Sequence, residues 1–230
     1  MDVVLVPGLW LTGDCWSEVV PVLEAAGHRA HPVTLPGTGS ADPGSVTLQD
    51  CVDTVLGAAP GDGPLVLVGH SAAGGVVWAA ADQAVDRAHA VVLVAAFPAP
   101  DGEPIMGMAV TDGALPPPDL ASSFDEAELR DTDVPALQAR LVASPGCFST
   151  DPVHLTDDRR NDLPVTVVST EYDTAQLQAW VAAGEQPVAE FPRLHNATYV
   201  DLPTGHWPQL TRPAELGELL VAAADGSATQ

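Results

Sequence analysis

Short apolar runs alternate along the chain with stretches of helical periodicity. The runs fall at 3–6, 28–35, 65–68, 90–97, 164–169 and 197–202, and they read as strands without in–out alternation. Strands that are apolar on both sides must be buried on both faces, which is the condition of a parallel sheet between two helix layers. Helices are predicted over 16–26, 46–59, 72–84 and 210–224, with a frayed tail at 225–230. The expected fold class is therefore α/β, a mainly parallel six-stranded sheet with helices on both faces. Right-handed crossovers put all strand-to-helix loops along one edge, and ligand sites in such sheets lie there, at the carboxyl ends of the strands.

One interval breaks the rhythm. More than sixty residues separate the fourth and fifth strands, rich in Pro and Asp, with a predicted helix near 124–143 that Ser123 and Glu126 would open as a capping box and Pro135 would end or kink. A loop that long is seldom structureless, so it reads as a small cap insertion over the strand ends. The expected organisation is a core of 1–98 and 164–230 with a cap of 99–163. With 230 residues, 46% of them hydrophobic, the chain can bury one sizeable core.

Charge narrows the functional classes. There are 31 acidic residues against eight basic ones, a net charge of −23, and every basic residue is an arginine. Such a surface repels phosphate backbones and anionic membranes, so neither nucleic acid nor membrane is an expected partner. The absence of lysine excludes Schiff-base chemistry and a catalytic ammonium. Cys15, Cys51 and Cys147 are odd in number and widely spaced, which suits buried thiols rather than a disulfide framework or a zinc site; no metal is expected. With neither a membrane-length apolar run nor a leader pattern, the expectation is a cytoplasmic protein, monomer or homodimer.

The chemistry concentrates at Leu65-Val-Leu-Val-Gly69-His70-Ser71-Ala72-Ala73-Gly74-Gly75. A polar serine stands between a buried strand and a buried helix, with small residues two before and two after it. A sharp strand-to-helix turn needs those small neighbours, and it lifts the serine Oγ above the sheet edge beside free helix N–H groups. Ser71 is thereby a candidate nucleophile, and His70 reads as packing.

On this motif and the strand order around it, the chain resembles the α/β-hydrolase superfamily over nearly its whole length, in particular small bacterial esterase-like members and the plant methyl esterases and hydroxynitrile lyases. Ala73 departs from the commonest pattern, which has Gly, and Pro7 departs from the His-Gly that many relatives carry at Pro7-Gly8. The resemblance implies a base in Asp201-Leu-Pro-Thr-Gly205-His206-Trp207-Pro208, hence His206; His154 and His195 are weaker candidates. It implies a triad acid after the fifth strand, in Ser169-Thr170-Glu171-Tyr172-Asp173, and places it at Asp173, with Glu171 and Asp101 as alternatives. The backbone N–H groups of Leu9 and Ala72 would form the oxyanion hole.

The implied reaction needs no cofactor: Ser71 attacks a carbonyl, His206 takes its proton, the acid holds the imidazole, and water resolves an acyl-enzyme. The expected substrate is a small, neutral, fairly apolar ester, lactone or thioester, since an acidic cap disfavours anions. Trp10, Met106, Met108, Phe124 and Trp207 are the candidate substrate contacts; Trp10 suits a pocket wall or the core equally. Two other classes stay open. One is lyase-type chemistry on the same triad, although the lyase relatives use a lysine where Trp207 stands. The other is a silent ligand-binding protein, which would be expected to lack a triad member.

Overall fold

A computed structural model describes residues 1–40 and 42–226. Six parallel strands form the main sheet: β1 (Asp2–Val6), β2 (Arg29–Pro32), β3 (Leu65–His70), β4 (Ala88–Val94), β5 (Val165–Ser169) and β6 (Ala197–Asp201), in the order β2-β1-β3-β4-β5-β6. Successive side chains of a strand face opposite sides, and in the four inner strands both sides are core. Val4, Val6, Leu65, Leu67, Val91 and Leu93 enter one apolar cluster, and Val3, Leu5, Val66, Val68, Val92 and Val94 enter the other. That two-sided burial is why the strand sequences show no polar alternation.

Helices α1 (Val20–Ala25), α2 (Leu48–Gly57), α3 (Ala73–Gln83), α4 (Thr174–Ala183) and α5 (Pro213–Ala224) flank the sheet. Residues of α2, α3 and α4 share one cluster; Leu23 of α1 and Leu216 and Leu220 of α5 share the other. Among the described residues no helix is long and apolar enough to cross a membrane.

Several boundaries differ from expectation. The second strand is four residues long because Val33 and Leu35 turn inward as buried loop residues. The first predicted helix divides into a 3-10 turn, Gly13–Trp16, and α1. The last divides at Arg212, where Pro213 opens α5. Of the predicted tail, Asp225 and Gly226 form a turn, and 227–230 lie outside the described residues.

The largest correction concerns 124–143. Two short helices stand in that region, Leu120–Ser123 and Val134–Gln138. Ser123 ends the first of them. The capping interactions sit two residues later: Asp125 Oδ1 accepts from the Ala127 and Glu128 amides, and Glu128 returns a carboxylate to the Asp125 amide. Pro135 is the second residue of the second helix, whose N-cap is Asp133; it is tolerated there because proline lacks only an amide that the first turn leaves free. The wider segment between β4 and β5 also contributes a two-stranded antiparallel ladder, Ala114–Leu115 with Ser144–Pro145.

Candidate active site

β3 ends at His70, and α3 begins three residues later. Ser71, between them, has φ +54°, a conformation costing about 1–3 kcal/mol in a residue with a Cβ. The turn is held by Ser71 N–H donating to the Val94 carbonyl (3.0 Å) and by the Ser71 carbonyl accepting from Gly74 N–H (2.9 Å). A Cβ on Gly69 would lie 2.7 Å from the Ala73 carbonyl oxygen, and one on Gly74 would lie 2.6 Å from that of Phe97. The small residues flanking Ser71 thus let the helix start against the strand.

His206 comes from the loop between β6 and the turn Pro208–Thr211. Its Nε2 lies 2.9 Å from Ser71 Oγ. Its Nδ1 lies 2.8 Å from Glu171 Oε1. The carboxylate that the fold brings to His206 is therefore that of Glu171 and not that of the expected Asp173. Asp173 caps α4, its Oδ1 accepting from Gln176 N–H at 2.7 Å, so its exposed carboxylate serves the helix end. Glu171, two residues earlier and with one more methylene, turns toward the imidazole. Asp101, the other alternative, accepts from Leu155 N–H at the surface.

Burial raises the Glu171 pKa, but the hydrogen bond and charge of His206 and the Thr170 hydroxyl outweigh it and hold the group down at about 2. An ionised Glu171 accepts from His206 Nδ1–H, which leaves the Nε2 lone pair for the Ser71 hydroxyl.

His70 does more than pack. Its Nε2–H donates to the His206 carbonyl at 2.7 Å, and its Nδ1 accepts from Gly8 N–H and Gln209 Nε2–H, each at 3.3 Å. Complete burial, with the neighbouring His206, lowers its pKa to about 3, so it stays neutral.

In the loop after β1, Gly8 N–H is taken by His70, and Trp10 N–H donates to Ser144 Oγ at 2.6 Å. Between them, Leu9 N–H donates to no protein acceptor among the described residues, and neither does Ala72 N–H at the start of α3. A Cβ on Gly8 would meet Ser71 Cβ and His70 Nδ1 at 2.9 Å, which shows how tightly the loop lies on the elbow.

Ser71, Glu171 and His206 open on a cavity of about 860 Å³. Phe97, Ile105, Met106, Tyr172, Trp180 and Val188 form apolar walls, and Glu103, Asp125, Glu128 and Glu185 stand among its linings, with no arginine. Of the five expected substrate contacts only Met106 lines it. Met108 is exposed elsewhere. Trp10 is core: it is 9% exposed, and its Nε1–H donates to the Leu115 carbonyl. Phe124 lies edge-on to Trp207 and packs beside His206, so both aromatics support the imidazole from behind. Tyr172, in the loop after β5, and Trp180, in the second turn of α4, line the cavity and lie outside the expected contacts.

A family model described as the alpha/beta hydrolase family matches residues 3–219. The pyrethroid hydrolase of Sphingobium wenxiniae is 28% identical over 257 residues, covering 99% of this chain and 89% of that protein. The carbendazim hydrolyzing esterase of a Nocardioides species is 34% identical over 119 residues, 50% of this chain and 48% of that protein. Among solved structures, an Arabidopsis methylesterase superposes with a TM-score of 0.74 at 20% identity, over 98% of this chain and 99% of that one. Tomato methylketone synthase I gives 0.75 at 14% identity over 98% of each, so chains of this shape carry more than one chemistry. With the parallel sheet, the strained serine turn and the extent of the match, the chain belongs to the α/β hydrolase family.

Proposed function

We propose that this protein is a serine hydrolase that cleaves a small, neutral, fairly apolar carboxylic ester, with lactones and thioesters as chemical neighbours. The observation that carries the reading is the unbroken line Ser71 Oγ, His206 and Glu171, at 2.9 and 2.8 Å, ending on an apolar cavity. His206 removes the Ser71 proton as Oγ attacks the carbonyl carbon. Glu171 holds the tautomer and stabilises the imidazolium. The Leu9 and Ala72 amides receive the oxyanion, and His206 then protonates the leaving alcohol. Water, activated by the same imidazole, resolves the acyl-enzyme and returns Ser71. Lyase chemistry of the lysine-assisted kind is not favoured, since buried Trp207 follows His206 and the chain has no lysine.

A fluorophosphonate probe is expected to label the wild type at Ser71 and to leave Ser71→Ala unlabelled. His206→Ala is expected to stay folded and to lose p-nitrophenyl acetate turnover by orders of magnitude. Unlabelled, inactive wild type would overturn the proposal in favour of a binding protein.

A further inference from the structure

Nothing in the turn chemistry of the first strand's loop explains how its central amide is aimed. Pro7-Gly8-Leu9-Trp10 contains one glycine, and the strained residue is Trp10, at φ +66°. A bulky side chain in the left-handed region persists only when its surroundings over-determine it. Here they do. Trp10 N–H donates to Ser144 Oγ, Trp10 O accepts from Val142 N–H at 3.0 Å, and the indole Nε1–H donates to the Leu115 carbonyl at 3.2 Å. All three partners belong to the segment between β4 and β5. On the other side of Leu9, Gly8 N–H is held by His70, which also fixes the His206 carbonyl. Ser144 is 2% exposed and His70 is 1% exposed, so neither bond competes with water.

We infer that Ser144 and His70 are positioning residues that together aim the Leu9 amide at the oxyanion. The inference rests on the serine-hydrolase reading. Its physical content is that two adjacent amides are consumed so that the one between them has a single direction left. Because Ser144 comes from the β4–β5 segment, the oxyanion hole is completed only when that segment is seated.

The test compares Ser144→Ala and Ser144→Thr with wild type on p-nitrophenyl acetate and on an aryl trifluoromethyl ketone, which adds Ser71 Oγ to its carbonyl and leaves a tetrahedral oxyanion. Loss of a whole oxyanion donor lowers turnover about 10²–10³-fold. Misaiming one is expected to lower kcat about 10- to 100-fold in Ser144→Ala, with KM within twofold and ketone affinity weakened by the same factor as kcat. Ser144→Thr, which keeps the hydroxyl, is expected to recover most of both. His70→Asn keeps an acceptor for Gly8 and is expected to lose less ketone affinity than His70→Leu, which keeps none. If Ser144→Ala does not fold, Ser144→Cys, with a weaker acceptor of similar volume, carries the comparison. A folded Ser144→Ala or Ser144→Cys with kcat and ketone affinity within twofold of wild type overturns the clamp while leaving the hydrolase proposal standing. A wild type that turns over no ester and binds no ketone overturns both.

Discussion

Glu171 and Asp173 carry the same functional group two residues apart, and their partners divide them. The Asp173 carboxylate accepts a backbone N–H at the start of α4; the Glu171 carboxylate is largely buried against His206 Nδ1. Glu171→Gln is expected to lower kcat by about 10³–10⁴, since an amide favours the wrong imidazole tautomer and cannot stabilise an imidazolium. Asp173→Ala is expected to leave kcat within about threefold and to cost about 1 kcal/mol of stability, the worth of a helix cap. Stopped-flow acylation and urea unfolding of the two variants check this, and the opposite pattern would restore Asp173 as the acid. The distinction was present in the sequence. Asp173-Thr-Ala-Gln176 has the spacing of an N-cap with its N3 partner, and taking Asp173 for the cap leaves Glu171 for the histidine. The pairing of Ser71 with His206 was legible because the turn and the order of elements constrain it; the carboxylate was misplaced because the resemblance points to Asp173, where the cap spacing pointed to Glu171.

The elements show where legibility ends. The four inner strands, buried on both faces, announce themselves by composition; the edge strands β2 and β6 are only partly buried, and their apolar runs were readable at looser bounds. The segment between β4 and β5 was not, because its helices of four or five residues are too short for periodicity and owe their form to what they touch. One such contact reaches the site. His206 N–H donates to the Glu128 carbonyl at 2.7 Å, and a Cβ on Gly205 would collide with the Glu128 and Arg130 carbonyls. Gly205→Ala is therefore expected to displace His206 and lower kcat at least tenfold, with circular dichroism little changed; full activity would show that the turn at 125–131 yields without moving the imidazole. A second contact is structural only. Asp82, at the end of α3, accepts from the Thr156 and Asp157 amides and pairs with Arg160 at 3.1 Å, both side chains nearly unexposed. Removing one member of such a pair leaves an uncompensated buried charge, so Asp82→Ala is expected to cost about 3–5 kcal/mol. Chemical denaturation measures it, and the residual folded enzyme should keep its kcat.

At the scale of the whole molecule the active site is also where acid should attack the fold. Two of its groups, His70 and Glu171, act in the same direction in acid. The His70 imidazole is held neutral by burial, its pKa lowered from 6.5 to about 3. Glu171 is held ionised, its pKa lowered from 4.5 to about 2. Between pH 6.5 and 3 an unfolded chain binds a proton at His70 that the folded chain refuses, so unfolding gains about 1.4 kcal/mol per pH unit as pH falls. Below about 4.5 the unfolded chain also protonates Glu171, and that stability is lost progressively until the folded carboxylate itself titrates near 2. The net charge of −23 adds a separate, salt-sensitive term, since like charges on the surface repel one another and counter-ions screen them. Salt is therefore expected to raise the unfolding temperature at pH 7 while leaving the decline between pH 6.5 and 5 in place, because a buried imidazole is poorly screened. His70→Asn should flatten that decline without abolishing the steeper loss below 4.5. A denaturation midpoint independent of pH from 6.5 to 5, or an equal slope in His70→Asn, would mean that His70 accepts its proton inside the fold, and with it that the bond its Nδ1 accepts from Gly8 N–H is dispensable.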